Sequence, residues 1–197
     1  MEWVFASSNP GKFLETATML KPFGIKLIPQ SSLGIRSVFE SGLSYAENAL
    51  LKARNAAQIA KKPALADDSG LEVEALDQQP GLYSARYCHL EPMFSGNIEK
   101  VLTLMQEQTN RKARLISVMA LLQHEHDTLP EIFTGIWEGE ILHEQRGRGG
   151  FGYDPIFYDP NLKKTGAQMS VTQKNLISHR GQSLERLRAY LTDMIGQ

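Results

Sequence analysis

The chain has 197 residues, 42% of them hydrophobic, and a formal net charge of −1 from 21 basic and 22 acidic residues. That length supports one large domain or two small lobes with a real core, and the balanced charge excludes a protein built to coat bulk nucleic acid. The single cysteine, Cys88, excludes an internal disulfide or cysteine-based zinc centre; with no secretory leader pattern and no apolar run of the roughly 20 residues a membrane span needs, a reducing cytoplasm without a membrane partner is expected.

Residues 2–6 read as a short buried strand. Phe13, Ala17 and Leu20 recur at helical spacing, and Pro22 and Gly24 end that helix. Ile25 to Ile28 reads as a second strand closed by Pro29. Ala46, Ala49, Ala53, Ala57 and Ala60 mark a second helix whose slim face allows close packing on a sheet. Ala64 to Ala66 reads as a buried strand running into Asp67-Asp68-Ser69-Gly70, and Leu71 to Leu76 as extended. Ile98, Leu102 and Met105 predict a helix, Leu115 to Leu122 a central strand, Ile132 to Trp137 its neighbour, and Ile156 to Tyr158 a short strand. Leu184, Leu187, Leu191 and Ile195 predict a closing helix capped by Ser183. Helices and strands alternate early and strands cluster late, which predicts an α/β domain with a mixed sheet.

Four segments carry candidate chemistry. In Ser7-Ser8-Asn9-Pro10-Gly11-Lys12, Asn9 suits an N-cap and Pro10 the first helical position, so a helix N-terminus presents free N–H groups. Lys12 there opposes the helix dipole by roughly 0.3–1 kcal/mol; it is either part of an anion site or a solvated lysine. The segment lacks the Gly-x-x-x-x-Gly-Lys-Ser/Thr pattern of a P-loop. Asp67-Asp68-Ser69-Gly70 follows a buried strand. Neighbouring side chains on an extended segment point oppositely, so one aspartate should face a site and the other the scaffold; the plain alternative is an Asx-turn.

Gly147-Arg148-Gly149-Gly150-Phe151-Gly152 matches Gly-x-Gly-x-x-Gly formally. A dinucleotide fold needs a helix next, and Tyr153-Asp154-Pro155-Ile156-Phe157 reads as turn then strand, so that reading is rejected. A kinase glycine loop fails for want of His-Arg-Asp and Asp-Phe-Gly. What remains is a loop offering Phe151 either to a base or to the core. Lys174 and Ser178-His179-Arg180-Gly181 form a cationic cluster, suited to a carbonyl or phosphate oxygen or simply a charged surface loop. His124 and His126 are poor metal candidates, and His89 and His143 have no evident partners.

The ordered set Ser7-x-Asn9-x-x-Lys12, Glu40-x-Gly42, Glu47-Asn48-Ala49, Lys52-Ala53, Asp67-Asp68-Ser69-Gly70, Pro80-Gly81, Ser84-Ala85-Arg86-Tyr87, Gly150-Phe151-Gly152-Tyr153-Asp154-Pro155 and Ser178-His179-Arg180-Gly181 resembles the non-canonical purine nucleoside triphosphate pyrophosphatases, also called inosine/xanthosine triphosphate pyrophosphatases. The resemblance spans nearly the whole chain. It implies an elongated two-lobed α/β fold over residues 1–197, with helices flanking a central mixed sheet and an active cleft between the lobes, and it implies a homodimer. The implied activity is hydrolysis of the α–β phosphate bond of inosine, deoxyinosine and xanthosine triphosphates to a monophosphate and pyrophosphate, cleaning the nucleotide pool.

Carried over by position, the resemblance implies that Ser7, Asn9, Lys12, Lys52, Ser69 and Arg86 meet the phosphates. Glu40 and Asp68 would hold Mg²⁺, and Asp68 would help activate the attacking water. Phe151 would stack on the purine, with Gly152 and Tyr153 of the same motif beside it, and Asp154, Lys174, Ser178, His179 and Arg180 would read the base edge. Local cations, a helix N-terminus and Mg²⁺ suit a strongly anionic triphosphate. His179 and Arg180 can donate to a 6-oxo group and leave a 6-amino group unpaired, a difference of roughly 1–3 kcal/mol. Three departures stand out: residues 88–94 are more apolar than the family's acidic lid segment, Gln168 stands where an acid is common, and Tyr45 replaces a phenylalanine. Two other readings are a nucleotide-binding sensor without catalysis and a pyrophosphatase for modified pyrimidine triphosphates.

Overall fold

A computed structural model describes residues 1–90 and 96–195. Among these, seven strands form one sheet and five α-helices accompany it. The strands are β1 (Glu2–Phe5), β2 (Lys26–Pro29), β3 (Ala64–Val73), β4 (Lys112–Leu122), β5 (Glu131–Ile141), β6 (Phe157–Asp159) and β7 (Lys164–Thr165). The helices are α1 (Pro10–Leu20), α2 (Tyr45–Ala60), α3 (Asn97–Leu104), α4 (Val171–Ile177) and α5 (His179–Ile195). Sheet order is β2-β1-β3-β4-β5-β6-β7. β1 lies parallel to β2 and β3, whereas β5, β6 and β7 pair antiparallel. The fold is therefore α/β with a mixed sheet, as the alternation of patterns predicts. No helix among the described residues is long and apolar enough to cross a membrane.

The chain divides into two compact units. The first holds Met1–Asp68, Ser117–Thr134 and the chain from Ser183 onward. Strand alternation sorts its core. Trp3 and Phe5 join Leu20, Leu65, Met119, Leu121, Leu187 and Leu191. Val4 and Ala6 face the other way, against Ala49, Ala53, Ala56 and Ala57 of α2 with Ala64, Ala66, Ala120 and Leu122. The alanine face brings α2 close to the strands, which keeps Lys52 of that helix within reach of β3. The second unit holds Ser69–Ile116 and Gly135–Gln182. Its core gathers Leu71, Val73, Val101, Met105, Leu115, Trp137, Tyr153, Ile156 and Phe157. Each large apolar side chain so buried contributes roughly 1.5–3 kcal/mol.

Several sequence expectations are corrected. The segments predicted as two extended pieces around Asp67-Asp68-Ser69-Gly70 form one continuous strand, β3, so the Asx-turn reading fails. Both aspartates are buried, and their charges are met by lysines rather than by a solvated turn. The closing helix begins at His179, not after Ser183. Ser178 Oγ accepts from Gly181 N at 3.1 Å, and Ser183 lies inside the helix, fully buried. The first turn, His179-Arg180-Gly181, lacks apolar periodicity and so is silent in a hydrophobic pattern. Helix α4 and strand β7 have no counterpart among the predicted elements, and β4 and β5 extend past their apolar runs. The capping box of α4, where Ser170 and Gln173 each bond the other's backbone N–H, is a signal the sequence does carry. Of the departing segment 88–94, Cys88 is buried in a short 3₁₀ turn, Tyr87–Leu90. Residues 91–94 lie outside the described residues.

Candidate active site

In the first unit, Asn9 caps α1 as its sequence predicts: its side chain accepts from Lys12 N at 3.1 Å. Ser7 Oγ accepts from Asn9 N at 3.2 Å, shaping the turn before the helix. The Lys12 ammonium pairs with the Asp67 carboxylate, whose side chain is wholly buried. Asp67 Oδ2 accepts from Ser117 Oγ at 3.1 Å, and Ser117 Oγ lies 3.0 Å from Ser183 Oγ. The cation that opposes the α1 dipole is thus offset by a buried carboxylate from β3.

Asp68 points the other way, as strand alternation requires. Lys52 Nζ lies 2.6 Å from Asp68 Oδ1 and 3.0 Å from Glu40 Oε1, and it donates to the Asp67 carbonyl at 2.9 Å. Burial pushes the Asp68 carboxyl above its ordinary value, with Lys52 pulling it back. Burial also opposes the charge on Lys52, but Asp68 and Glu40 together outweigh it and hold its ammonium above the ordinary value. Two carboxylates on one ammonium make a hard-oxygen donor pair, the kind Mg²⁺ takes when phosphates and water complete its shell. Glu40 reaches this pair from a loop held by Asn48, whose Oδ1 accepts from Gly42 N at 2.8 Å.

In the second unit, the Asp154 carboxylate is 3% exposed. Its Oδ2 accepts from Phe151 N at 2.8 Å and pairs with the Lys174 ammonium. Asp154 therefore braces the glycine loop. Gly150 sits at φ +68°, and a Cβ there would strike the Asp154 carboxylate, so the position requires glycine on both counts. Lys174 Nζ lies 4.6 Å from the Phe151 ring centroid and the Arg180 guanidinium 5.2 Å from it. Arg180 also donates to Ser69 Oγ at 3.2 Å. Ser178, His179 and Arg180 are all buried at the start of α5. Tyr153 turns inward: its hydroxyl donates to the Ser84 carbonyl at 2.8 Å, and Ser84 Oγ accepts from Leu71 N at 2.8 Å. Burial drives the Tyr153 hydroxyl well above its ordinary value. Arg86, two residues on from Ser84, lies over the Tyr83 ring at 5.3 Å.

The profile of the Ham1 family matches residues 3–190. The chain belongs to the Ham1 family. A dITP/XTP pyrophosphatase of Photorhabdus laumondii is 46% identical over 186 residues, covering 93% of this chain and 94% of that protein. One from Coxiella burnetii is 44% identical over 195 residues, covering 98% of each. Among solved structures, a HAM1 protein from Coxiella burnetii is 43% identical with a TM-score of 0.89, covering 98% of this chain and 99% of that one. The Ham1 protein of Staphylococcus aureus follows at 39% and 0.86, covering 98% and 100%.

Within this Ham1 chain, the predicted residues fall into two sets. Ser7, Asn9, Lys12, Glu40, Lys52 and Asp68 stand in the first unit, and Ser69, Arg86, Phe151, Gly152, Tyr153, Asp154, Lys174, Ser178, His179 and Arg180 in the second. The sequence motifs do not single out Ser117, and they make Ser183 a helix cap; in the structure both hydroxyls stand behind the Asp67 carboxylate that pairs with Lys12. One signal was available: Ser117 is a lone hydroxyl inside the apolar run 115–122, and a buried hydroxyl needs a partner. Gln168 supplies an acceptor, since its Oε1 accepts from Thr165 N at 2.9 Å. His89, His124, His126 and His143 are exposed. No group of three or more His, Cys, Asp or Glu that could hold a metal occurs among the described residues.

Proposed function

We propose that this chain hydrolyses non-canonical purine nucleoside triphosphates, the inosine, deoxyinosine and xanthosine forms, to a monophosphate and pyrophosphate, as a single pyrophosphatase domain of two units. The observation that carries the chemistry is the Glu40–Lys52–Asp68 cluster beside the Lys12–Asp67 pair. Lys12, Lys52 and the N-terminus of α1 would offset the charge of a triphosphate. Asp68, raised by burial, would take the proton of the attacking water. Glu40 and Asp68 would hold Mg²⁺, which when bound would polarise phosphoryl oxygens and make a bound water more acidic. Names given to the relatives support the substrate class.

The base would meet the second set. Phe151 offers a ring, while His179 and Arg180 offer donors to a 6-oxo group. Asp154 and Lys174, paired with each other, would hold the Phe151 loop and offer their remaining donor and acceptor positions to the base edge. The protein would work in the cytoplasm as a homodimer, which light scattering after gel filtration would test.

The decisive experiment is a panel of base-modified triphosphates with Mg²⁺. Expected is rapid pyrophosphate release from inosine and xanthosine triphosphates and far slower release from ATP and GTP. Orthophosphate as the first product would refute α–β cleavage. A preference for modified pyrimidines would replace the purine reading, and tight retention without turnover would make the chain a sensor.

A further inference from the structure

Trp137 is an aromatic that the function described above leaves unused. It lies on β5 and is 4% exposed. Its indole runs nearly parallel to the His179 imidazole, with an interplanar angle of 15° and ring centroids 6.5 Å apart. The indole is itself locked from two sides. Its Nε1–H donates to Asp159 Oδ2 at 2.9 Å inside the core. The Phe157 ring meets it edge-on at 4.8 Å and 60°. Phe157 comes that close because residue 139, on the neighbouring strand, is glycine: a Cβ there would lie 2.7 Å from the Phe157 ring and 2.5 Å from the Tyr158 carbonyl. Asp159 is fixed in turn, its Oδ1 accepting from Asn161 N at 2.9 Å and Leu162 N at 3.0 Å.

We infer that Trp137 is a specificity-determining positioning residue, setting the plane of the His179 ring so that its N–H is aimed at the 6-oxo group of a purine. This rests on the reading of His179 as a base-edge donor. A histidine side chain has two rotatable bonds, and χ2 is broad, so position in the chain alone does not aim its nitrogens. A donor that discriminates between an oxo and an amino group must be held in direction, since hydrogen bonds weaken steeply off axis. A rigid aromatic plane beside the imidazole supplies that restraint without competing for its N–H groups. The indole suits the role because its own N–H is anchored away from the site on a buried carboxylate. Trp137 touches no substrate in this scheme; it acts only through His179.

The test compares wild type, Trp137→Leu, Trp137→Phe and His179→Gln, with kcat and KM for inosine triphosphate and for ATP. For Trp137→Leu, KM for inosine triphosphate should rise about tenfold with kcat changed much less, and the preference over ATP should fall about tenfold. Trp137→Phe keeps an aromatic plane and should restore most of that preference, which a merely structural role would not predict. A folded Trp137→Leu enzyme with wild-type preference overturns the inference. If the leucine variant does not fold, the wild-type protein still decides: the His179 ring protons, assigned by their loss in His179→Gln, should show ring-current shifts from the indole, and random-coil positions overturn the proposal. If His179→Gln keeps wild-type selectivity, the base-edge reading itself fails; if it loses selectivity while Trp137→Leu does not, only the positioning role fails.

Discussion

At Asp68 one carboxylate meets three demands: it is buried, it shares an ammonium with Glu40, and burial raises its proton affinity. Asp68→Asn removes the charge while keeping the shape. Turnover should fall by roughly 10²–10⁴, the range for loss of a general base, with the melting temperature little changed. Retained turnover removes Asp68 from the mechanism. Lys12 is a different case. From sequence alone its replacement by alanine should weaken substrate binding without harming the fold. The structure revises this, because Lys12→Ala takes the pairing ammonium away from the wholly buried Asp67 carboxylate. Breaking such a pair costs about 3–5 kcal/mol, to be read by denaturant titration. The double variant Lys12→Met with Asp67→Asn should recover much of that loss. If the single variant is as stable as wild type, the pair is not the brace described.

Elements place these residues through local rules that differ in visibility. The cap of α1 at Asn9 and the alanine face of α2 follow from composition at fixed spacing, and both were legible. Helix α4 is silent in the hydrophobic pattern although Ser170 and Gln173 form a capping box, because its seven residues are too few for a hydrophobic period to show. Ser170→Ala should lower stability by roughly 0.5–2 kcal/mol and, by loosening Lys174 and the Phe151 loop it braces, should raise KM for inosine triphosphate. An unchanged KM would separate the cap from the base loop. The start of α5 was hidden for a related reason: His179, Arg180 and Gly181 present polar groups and a close glycine, and such positions carry no apolar signal.

For the whole molecule, ionisation sets the pH range in which the fold holds. Glu2 is held at about 2 instead of 4.5, chiefly by its hydrogen bond to Lys62 and then by Lys26. A carboxyl depressed in the folded state adds stability above its unfolded value, and that contribution is lost as pH falls from about 4.5 to about 2. Glu2→Gln should therefore melt lower than wild type at neutral pH, with the gap closing on acidification; a pH-independent gap would contradict the linkage. Tyr153 works at the other end. Its hydroxyl is raised by burial, so the unfolded chain ionises first above the ordinary tyrosine value of about 10, and stability drains as pH rises further. Tyr153→Phe should flatten that alkaline loss.

The α/β class, the strand–cap–helix at residues 2–20 and the family are all legible in the amino-acid order, because short-range periodicity, capping chemistry and ordered motifs are local properties of the chain. That Asp67 and Asp68 point oppositely is equally local, since successive residues of an extended strand must. Which lysine meets which aspartate depends on long-range packing. Lys12 and Asp67 are 55 residues apart, and their pairing depends on how α1 packs beside β3. The same holds for Asp154 on Lys174 and for the indole of Trp137 beside His179. Charge pairing and ring orientation are long-range outcomes of packing, and no local pattern encodes them.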